Sequence, residues 1–249
     1  MGIHYFEANI YRYGDKYKAI YMKRYQADEL HVKKEFEKEP PLEDGKLKNN
    51  ISRAKSRILA LGLCNQWDFF CTFTLDKQKY DRSDLKAWQK DFAQWIRNNR
   101  RITDQDFKYI LIPEPHKDGA WHMHGLVRGY DWDSLSRFDP EVHPVKLVRK
   151  GYRYHPGILK RFGFNSYGKI KNQEAVTRYL LKYITKSMAE VNMELGNHLF
   201  YASQGLNSPE LVANGCTPWV LTECDFHNDF IHTGWIHESE VNYVTRRLL

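Results

Sequence analysis

Two apolar segments separated by a turn signal place the strongest constraint on the fold. Phe107 to Glu114 and Trp121 to Arg128 each have the length and composition of a β-strand, and Lys117-Asp118-Gly119 lies between them. Asp-Gly between two apolar runs is a strong local signal for a β-hairpin. The chain is therefore expected to contain an antiparallel sheet.

Other periodic segments predict further elements around this hairpin. Trp67 to Leu75 alternates in the way of a buried strand, and Phe162 to Lys171 is expected to be another. A helix should begin after Ser83, a good N-cap, and Gln173 to Met188 should form a second. The first of these helices has apolar residues at helical spacing that would pack on a sheet: Leu85, Trp88, Phe92, Trp95 and Ile96.

The order of these elements predicts an α+β fold, an antiparallel sheet with helices packed on one face. We expect residues 1–63 to be a basic N-terminal part, an irregular or helical arm over 1–48 followed by a helix over 50–63. Residues 64–190 should form the core that carries the chemistry, with a loop-rich stretch at 130–160. Residues 191–249 should be a C-terminal extension.

Composition limits the class of protein. Of the 249 residues, 42% are hydrophobic, which excludes disorder along the whole length, and no apolar run approaches the roughly 20 residues of a membrane span. No signal-peptide pattern begins the sequence, so a cytoplasmic protein with no membrane partner is expected. The formal net charge of +7 suggests a polyanionic partner such as nucleic acid.

The four cysteines do not form a recognisable metal motif. Cys216 and Cys224 lie near His227 and His232, but their spacing fits no standard zinc pattern. Reduced thiols are the expected state of such residues in a cytosolic chain.

The strand Trp121-His122-Met123-His124-Gly125 carries the first chemical signal. Side chains two apart in a strand share a face, so His122 and His124 point the same way, about 7 Å apart at the backbone. If the hairpin turns around Asp118, Glu114 lies opposite His122 and joins the pair. Two imidazoles and a carboxylate suit Mg²⁺ or Mn²⁺ with open positions. The alternative is two histidines on an ordinary polar sheet face.

The helix Arg178 to Lys186 carries the second signal. Tyr179 and Tyr183 are four residues apart and therefore lie one above the other, beside a basic stripe that includes Lys182 and Lys186. A phenol with a pKa near 10 is a poor nucleophile at neutral pH, and a nearby cation favours the phenolate. The alternative is an amphipathic helix with aromatic core residues and solvated lysines.

Three motifs in a fixed order give the chain a resemblance to a known family. Phe70-Cys71-Thr72-Phe73-Thr74-Leu75 resembles motif 1 of rolling-circle replication initiators. Glu114 with His122-Met123-His124 resembles their motif 2, the HUH motif. Tyr179-x-x-Lys182-Tyr183-x-x-Lys186 resembles motif 3 in its two-tyrosine form. The resemblance covers roughly residues 67–210 and is to the replication-associated endonucleases of phages, plasmids and integrated elements.

The resemblance implies an RRM-like or ferredoxin-like core, a Mg²⁺ or Mn²⁺ site, and nicking and rejoining of single-stranded origin DNA through a 5′-phosphotyrosyl intermediate. It makes His122 and His124 metal ligands with Glu114 as the third. Tyr179 and Tyr183 become the nucleophiles, assisted by Lys182 and Lys186. The host would be a bacterial cell. The sequence specifies neither the oligomeric state nor the origin.

Two other functions stay open, and one motif is rejected. A mobilisation relaxase or single-strand transposase of the same superfamily would share the metal site, and a non-catalytic module could bind origin DNA through basic helices and aromatic residues. Gly163 to Lys169 fits the start of a phosphate-binding loop, but Ile170 stands where a Ser or Thr is needed. The chain is therefore expected to rely on a host helicase, as well as a host polymerase.

Overall fold

The computed structural model describes residues 5–24, 43–81, 84–103, 106–115, 120–190 and 198–248. For 43–47, 100, 102, 103 and 185–190 it describes the backbone alone. Ser83 and the turn at Lys117-Asp118-Gly119 lie outside the described residues, so their predicted roles stay predictions. The chain divides into two compact units: an accessory unit of residues 1–42 and 207–249, and a core unit of residues 43–206.

The strands in chain order are β1 (Phe6–Tyr13), β2 (Lys16–Lys23), β3 (Phe69–Thr74), β4 (Lys108–Pro115), β5 (Trp121–Arg128), β6 (Ser136–Arg137), β7 (Arg153–Tyr154), β8 (Asn165–Lys169), β9 (Tyr201–Ala202), β10 (Glu210–Thr217), β11 (Phe226–His227) and β12 (Ile231–Ile236). The helices are α1 (Glu43–Leu63), α2 (Leu85–Thr103), α3 (Val145–Arg149), α4 (Pro156–Arg161), α5 (Gln173–Glu190) and α6 (Glu238–Thr245). A 3-10 turn spans Trp132–Ser134. The predicted α+β class is confirmed.

The core unit is built on a seven-stranded antiparallel sheet in the order β6-β7-β8-β3-β5-β4-β9. Strict alternation along β3 explains how the sheet packs, because Phe69, Cys71 and Phe73 are buried on one face while the residues between them point to the other. The predicted hairpin is present as β4 and β5.

Helices cover both faces of this sheet, whereas helices on one face were expected. On the first face, Trp88 and Phe92 of α2 pack with Phe73 and Met123 in an aromatic-rich core. On the second face, α1 and α5 cover the apolar part of the sheet with these buried residues: Ala54, Ile58, Leu61, Leu180 and Ile184. The apolar stripe of α2 was visible in the sequence, but its spacing does not say which face it covers.

Helices α1 and α5 approach each other closely at one point. A Cβ atom at Gly62 would collide with the side chain of Thr177, which is fully buried. Thr177 satisfies its hydroxyl locally by donating to the backbone oxygen of Gln173 at 2.8 Å. This contact fixes the position of α5 on the sheet, and α5 carries the two tyrosines of the third motif.

The accessory unit contains a five-stranded antiparallel sheet in the order β10-β1-β2-β12-β11. Its core is formed by small and aliphatic residues of the strands together with Tyr21 of β2 and Val244 of α6. The chain's two terminal regions thus build one sheet. This differs from the expected division into 1–63, 64–190 and 191–249, and the irregular or helical arm predicted over 1–48 contains the hairpin of β1 and β2.

Three other expectations can be compared with the structure. The helix predicted over 50–63 is the second part of α1, which begins at Glu43. The stretch 130–160 contains several short elements rather than loop alone. Asn165–Lys169 is strand β8, so the rejected phosphate-binding motif has no loop leading into a helix there. In the part of the chain that the structure describes, every helix is too short or too polar to cross a bilayer.

Candidate active site

The polar side chains of motifs 1 and 2 share the second face of the core sheet. The register of β4 and β5 places Glu114 opposite His122, as the hairpin argument predicted. On the other side of β5, strand β3 places Thr74 opposite His122 and Thr72 opposite His124. Opposed residues on neighbouring strands lie on the same face. Three strands therefore bring these five polar side chains together.

Each histidine ring contacts a threonine hydroxyl through Nδ1. The Thr72 Oγ1 atom is 3.1 Å from Nδ1 of His124, and the Thr74 Oγ1 atom is 3.2 Å from Nδ1 of His122. The other nitrogen of His124, Nε2, is 2.5 Å from Oε2 of Glu114. The side chains of His124 and Glu114 are only 12% and 13% exposed, so their contact is largely shielded from water.

Helix α5 places both tyrosines against this cluster. Its buried residues Leu180 and Ile184 anchor it to the sheet, which turns Tyr179 and Tyr183 toward the polar face. The Tyr183 ring stacks on the His124 ring, with centroids 4.1 Å apart and planes inclined by 15°. The Tyr183 hydroxyl donates to the Tyr179 hydroxyl at 2.9 Å. The sequence predicted only that the two phenols share a helix face. In the structure they are within hydrogen-bonding distance of each other.

Phe70 packs against both tyrosines and the neighbouring histidine. Its ring stacks near Tyr183 and His124, with centroid distances of 6.3 and 6.2 Å, and meets Tyr179 edge-on at 5.8 Å. Phe70 faces this side of the sheet because it alternates with the buried Phe69 and Cys71. The first residue of motif 1 therefore supports the helix that carries motif 3.

The two tyrosines differ in their surroundings. Burial raises the pKa of Tyr183, and so do its hydrogen bond to Tyr179 and the nearby charges of Tyr179 and Glu114. A raised pKa means that Tyr183 holds its proton more firmly than a free phenol does. Tyr179, by contrast, is 46% exposed. Tyr183 is half-buried, so Tyr179 is the more accessible of the two to solvent and to a large substrate.

Of the two lysines of motif 3, the structure describes the side chain of Lys182. The Lys182 ammonium lies over the Tyr179 ring, 5.5 Å from its centroid. Arg178, one position before the first tyrosine, pairs with Glu174 at 2.9 Å. The Lys186 side chain lies outside the described side chains, so its role stays a prediction.

The donor set of the cluster fits a divalent cation. No group of three or more His, Cys, Asp or Glu side chains among the described residues is arranged as a complete metal site. The chemistry of the residues nonetheless suits one, because both imidazoles bond a hydroxyl through Nδ1, as ligating histidines do with their second nitrogen. Nε2 of His124 and the Glu114 carboxylate, which contact each other directly, would both serve as ligands of the ion.

A third tyrosine, Tyr152, borders the site, and the sequence patterns did not indicate that it would. Tyr152 follows α3 and lies against β8 at Gly168, where an added Cβ would come within 2.7 Å of its ring. Burial raises the pKa of Tyr152, and the charge of Tyr179 raises it further. Because Tyr152 lies in a stretch expected to be loop, no periodic signal connected it with the helix over 173–188.

The histidines and cysteines near the C-terminal end of the sequence belong to the accessory unit. His227 and His232 stack on each other at 5.9 Å and, with Cys224, line a cavity of about 630 Å³ in the accessory unit. The Cys216 Sγ atom accepts a hydrogen bond from Arg24 at 2.9 Å. Within the described residues these side chains form no metal site.

Part of the core unit matches a known protein family. Residues 68–188 match the family model of the replication-associated protein ORF2/G2P. The matched segment of the core unit runs from the start of β3 almost to the end of α5 and includes every side chain of the cluster described above. No curated protein and no solved structure matches the chain significantly. The ORF2/G2P match supports a role as a replication initiator.

Proposed function

We propose that this protein is a metal-dependent endonuclease that nicks and rejoins single-stranded origin DNA to start rolling-circle replication. The match to the ORF2/G2P family supports the replication role. The contact of the Tyr183 ring with His124, at 4.1 Å, carries the chemical part of the proposal. It means that a phenol pair lies directly beside a histidine and carboxylate cluster, which is the combination that phosphodiester cleavage by tyrosine needs.

The proposed reaction is a transfer of one phosphodiester bond. A tyrosine phenolate attacks the phosphorus, the bond from phosphorus to the 3′-oxygen breaks, and the leaving oxygen takes a proton to become a free 3′-hydroxyl. The DNA 5′-phosphate is then linked to the tyrosine oxygen. Rejoining is the same displacement in reverse, with a 3′-hydroxyl as the attacking group and the phenol as the leaving group.

His122, His124 and Glu114 would hold a Mg²⁺ or Mn²⁺ ion, which as a Lewis acid polarises the phosphate and lowers the barrier to attack. The residues of this chain supply position and charge. The apolar anchors of α5 hold the tyrosines over the cluster, and the Lys182 ammonium lies over the Tyr179 ring.

The exposed phenol is the better first nucleophile. Tyr179 is open to a strand of DNA, whereas Tyr183 is stacked on His124 and holds its proton. As a donor to the Tyr179 oxygen, the Tyr183 hydroxyl would stabilise the Tyr179 phenolate. Tyr183 would then serve the second transfer, which ends a round of replication. The free 3′-hydroxyl would prime a host polymerase, and a host helicase would separate the strands.

A nicking assay tests the proposal. Labelled single-stranded DNA pooled from the protein's own replicon is incubated with the protein and Mn²⁺ or EDTA, and covalent protein–DNA bands are counted. We expect an adduct that EDTA abolishes, that either single change, Tyr179→Phe or Tyr183→Phe, reduces, and that the double variant lacks. Tyr243→Phe is a matched control, because Tyr243 is an exposed tyrosine of the accessory unit.

A metal-independent adduct would contradict the proposal, as would an adduct that persists in the double variant. DNA binding without any adduct on any strand would identify the protein as a non-catalytic origin-binding module. Cleavage at a transfer origin or transposon end, with no cleavage at the replication origin, would identify it as a relaxase or transposase.

A further inference from the structure

The two threonines of β3 stand in a specific relation to the two histidines of β5. Each threonine is the direct cross-strand neighbour of one histidine, and each hydroxyl reaches the Nδ1 atom of that histidine. The two contacts, at 3.1 and 3.2 Å, are nearly equal in length. The two threonines are two residues apart on β3, and the two histidines are two residues apart on β5. The same threonine–histidine contact therefore occurs twice.

We propose that Thr72 and Thr74 are positioning residues of the metal site, which hold Nδ1 of His124 and His122 so that Nε2 of each ring is left to bind the cation. This inference rests on the proposed function. A neutral imidazole carries a proton on one nitrogen and a lone pair on the other. A partner at Nδ1 fixes the plane of the ring and therefore the direction in which Nε2 points.

A hydroxyl suits this task because it can both donate and accept. While Nε2 of His124 lies 2.5 Å from the Glu114 carboxylate, the Thr72 hydroxyl can donate to Nδ1. Once Nε2 binds a cation, the proton belongs on Nδ1, and the same hydroxyl accepts it after a rotation. The ring keeps its orientation in both states, which a carboxylate or a backbone carbonyl partner would not allow.

The alternation of β3 explains why the positions of Thr72 and Thr74 can be polar. Cys71 and Phe73, which alternate with the threonines, are fully buried in the aromatic core on the other face. The threonines and histidines are half-buried, and in such surroundings a hydrogen bond orients its partners more strongly than it does in water. Threonine is also frequent in strands for its shape alone. The test therefore has to separate the hydroxyl from the shape of the side chain.

The test measures cation binding by the full-length protein without DNA. Bound Mn²⁺ is determined from the electron paramagnetic resonance signal of the free ion during a titration. Thr→Val removes the hydroxyl and keeps the shape, whereas Thr→Ser keeps the hydroxyl. We expect Thr72→Val and Thr74→Val each to weaken Mn²⁺ binding by about 10- to 100-fold, the usual loss when a partner of a ligand is removed. The serine variants should bind almost as the unchanged protein does.

Thr233→Val is the matched control, since Thr233 is a half-buried strand residue of the accessory unit. Unchanged Mn²⁺ affinity in both valine variants would overturn the positioning role. If Mn²⁺ fails to bind the unchanged protein, the metal site and the proposed function fail together, and this inference fails with them.

A measurement on the unchanged protein covers the case in which a valine variant does not fold. Nitrogen-15 NMR of the histidine side chains distinguishes a protonated Nδ1 from a protonated Nε2. With Mg²⁺ bound we expect both His122 and His124 to carry the proton on Nδ1. A proton on Nε2 of either ring in the Mg²⁺-bound protein would contradict the proposal.

Discussion

The hydroxyls of Tyr179 and Tyr183 share one hydrogen bond, but Tyr179 is exposed whereas Tyr183 is half-buried. Burial and the neighbouring carboxylate of Glu114 disfavour the charged form of Tyr183. The exposed Tyr179 has Lys182 over its ring instead. At the scale of single residues, the site therefore separates two chemically identical groups by their surroundings.

This difference predicts unequal effects in single-turnover cleavage. Tyr179→Phe should slow the first cleavage by at least about 10-fold more than Tyr183→Phe does, a difference of about 1.4 kcal/mol in activation free energy. Rapid-quench kinetics on single-stranded DNA would measure both rates at saturating Mn²⁺. Equal losses in the two variants would show that either phenol can begin the reaction.

The sequence predicted the contacts between residues that depend only on the register of one hairpin. The spacing of His122 and His124 and the turn at 117–119 led to Glu114, and the structure pairs Glu114 with His122. The partnership of each threonine with a histidine was out of reach, because nothing local shows that β3 lies beside β5. Tyr152 was missed for the same reason, since the path of the chain from α3 to β8 is set by tertiary packing.

At the scale of elements, the contact between α1 and α5 sets where the tyrosines lie. We expect Gly62→Ala to lower the free energy of unfolding by about 1 to 3 kcal/mol, because the added methyl group collides with Thr177 in a filled interface. Chemical denaturation measures the loss. Ser52→Ala on the exposed side of α1 is the control and should change stability by less than about 0.5 kcal/mol.

A second change tests whether Thr177 is the partner in this collision. The double variant Gly62→Ala/Thr177→Ala should lose less stability than the sum of its two single variants, because removing the larger side chain makes room for the new methyl group. Additive losses would mean that the strain at Gly62 has another source.

The buried His155 should make the stability of the core unit depend on pH. Its Nδ1 atom accepts a hydrogen bond from the Ile158 amide at the start of α4, and burial lowers its pKa from the ordinary value of 6.5. The unfolded chain therefore takes up this proton at a higher pH than the folded protein does. Stability from His155 is complete above the unfolded pKa and falls as the pH drops below about 6.5 toward the lower folded value.

Thermal unfolding at several pH values between about 8 and 5 measures this effect. His155→Asn keeps an acceptor for the helix start but cannot titrate, so its melting temperature should depend less on pH across that range. An equally steep dependence in the variant would assign the acid sensitivity to other groups.

The elements of the accessory unit show why part of the fold was not predicted. The buried residues alternate with less buried ones along both strands, as Ala8 and Ile10 do on β1 and Ala19 and Tyr21 on β2, and Gly14 turns the chain between the strands with a φ of 65°. This alternation is present in the sequence but is weak in a segment rich in charge. The neighbours of this hairpin, β10 and β12, come about 200 residues later, so local pattern could not reveal the sheet.

At the scale of the whole molecule, charge divides between the two units. Residues 43–206 hold 28 of the 38 Lys and Arg and 18 of the 31 Asp and Glu, which leaves 10 basic and 13 acidic residues in the accessory unit. The positive surplus that suggested a nucleic-acid partner thus belongs to the unit with the candidate site. Three exposed cations lie in or next to α3: Lys146, Arg149 and Lys150. The Lys150 ammonium lies over the Tyr152 ring.

Salt dependence of DNA binding tests this division. Replacing Lys146, Arg149 and Lys150 with Gln should lower the slope of log affinity against log salt by about 2, or about 0.7 for each lost phosphate contact with a single strand. The matched variant replaces the exposed Arg24, Arg246 and Arg247 of the accessory unit and should leave the slope unchanged. Equal effects of the two variants would contradict binding through the core unit.

The proposed reaction predicts which protein atom holds the DNA. The covalent complex formed with Mn²⁺ is digested with protease and nuclease, and mass spectrometry locates the nucleotide on the peptide. We predict that the first adduct joins the DNA 5′-phosphate to Tyr179, with Tyr183 modified when Tyr179 is Phe, and that the released end is a 3′-hydroxyl that a polymerase extends. An adduct on any residue other than these two, or a link to a 3′-phosphate, would rule out the proposed reaction.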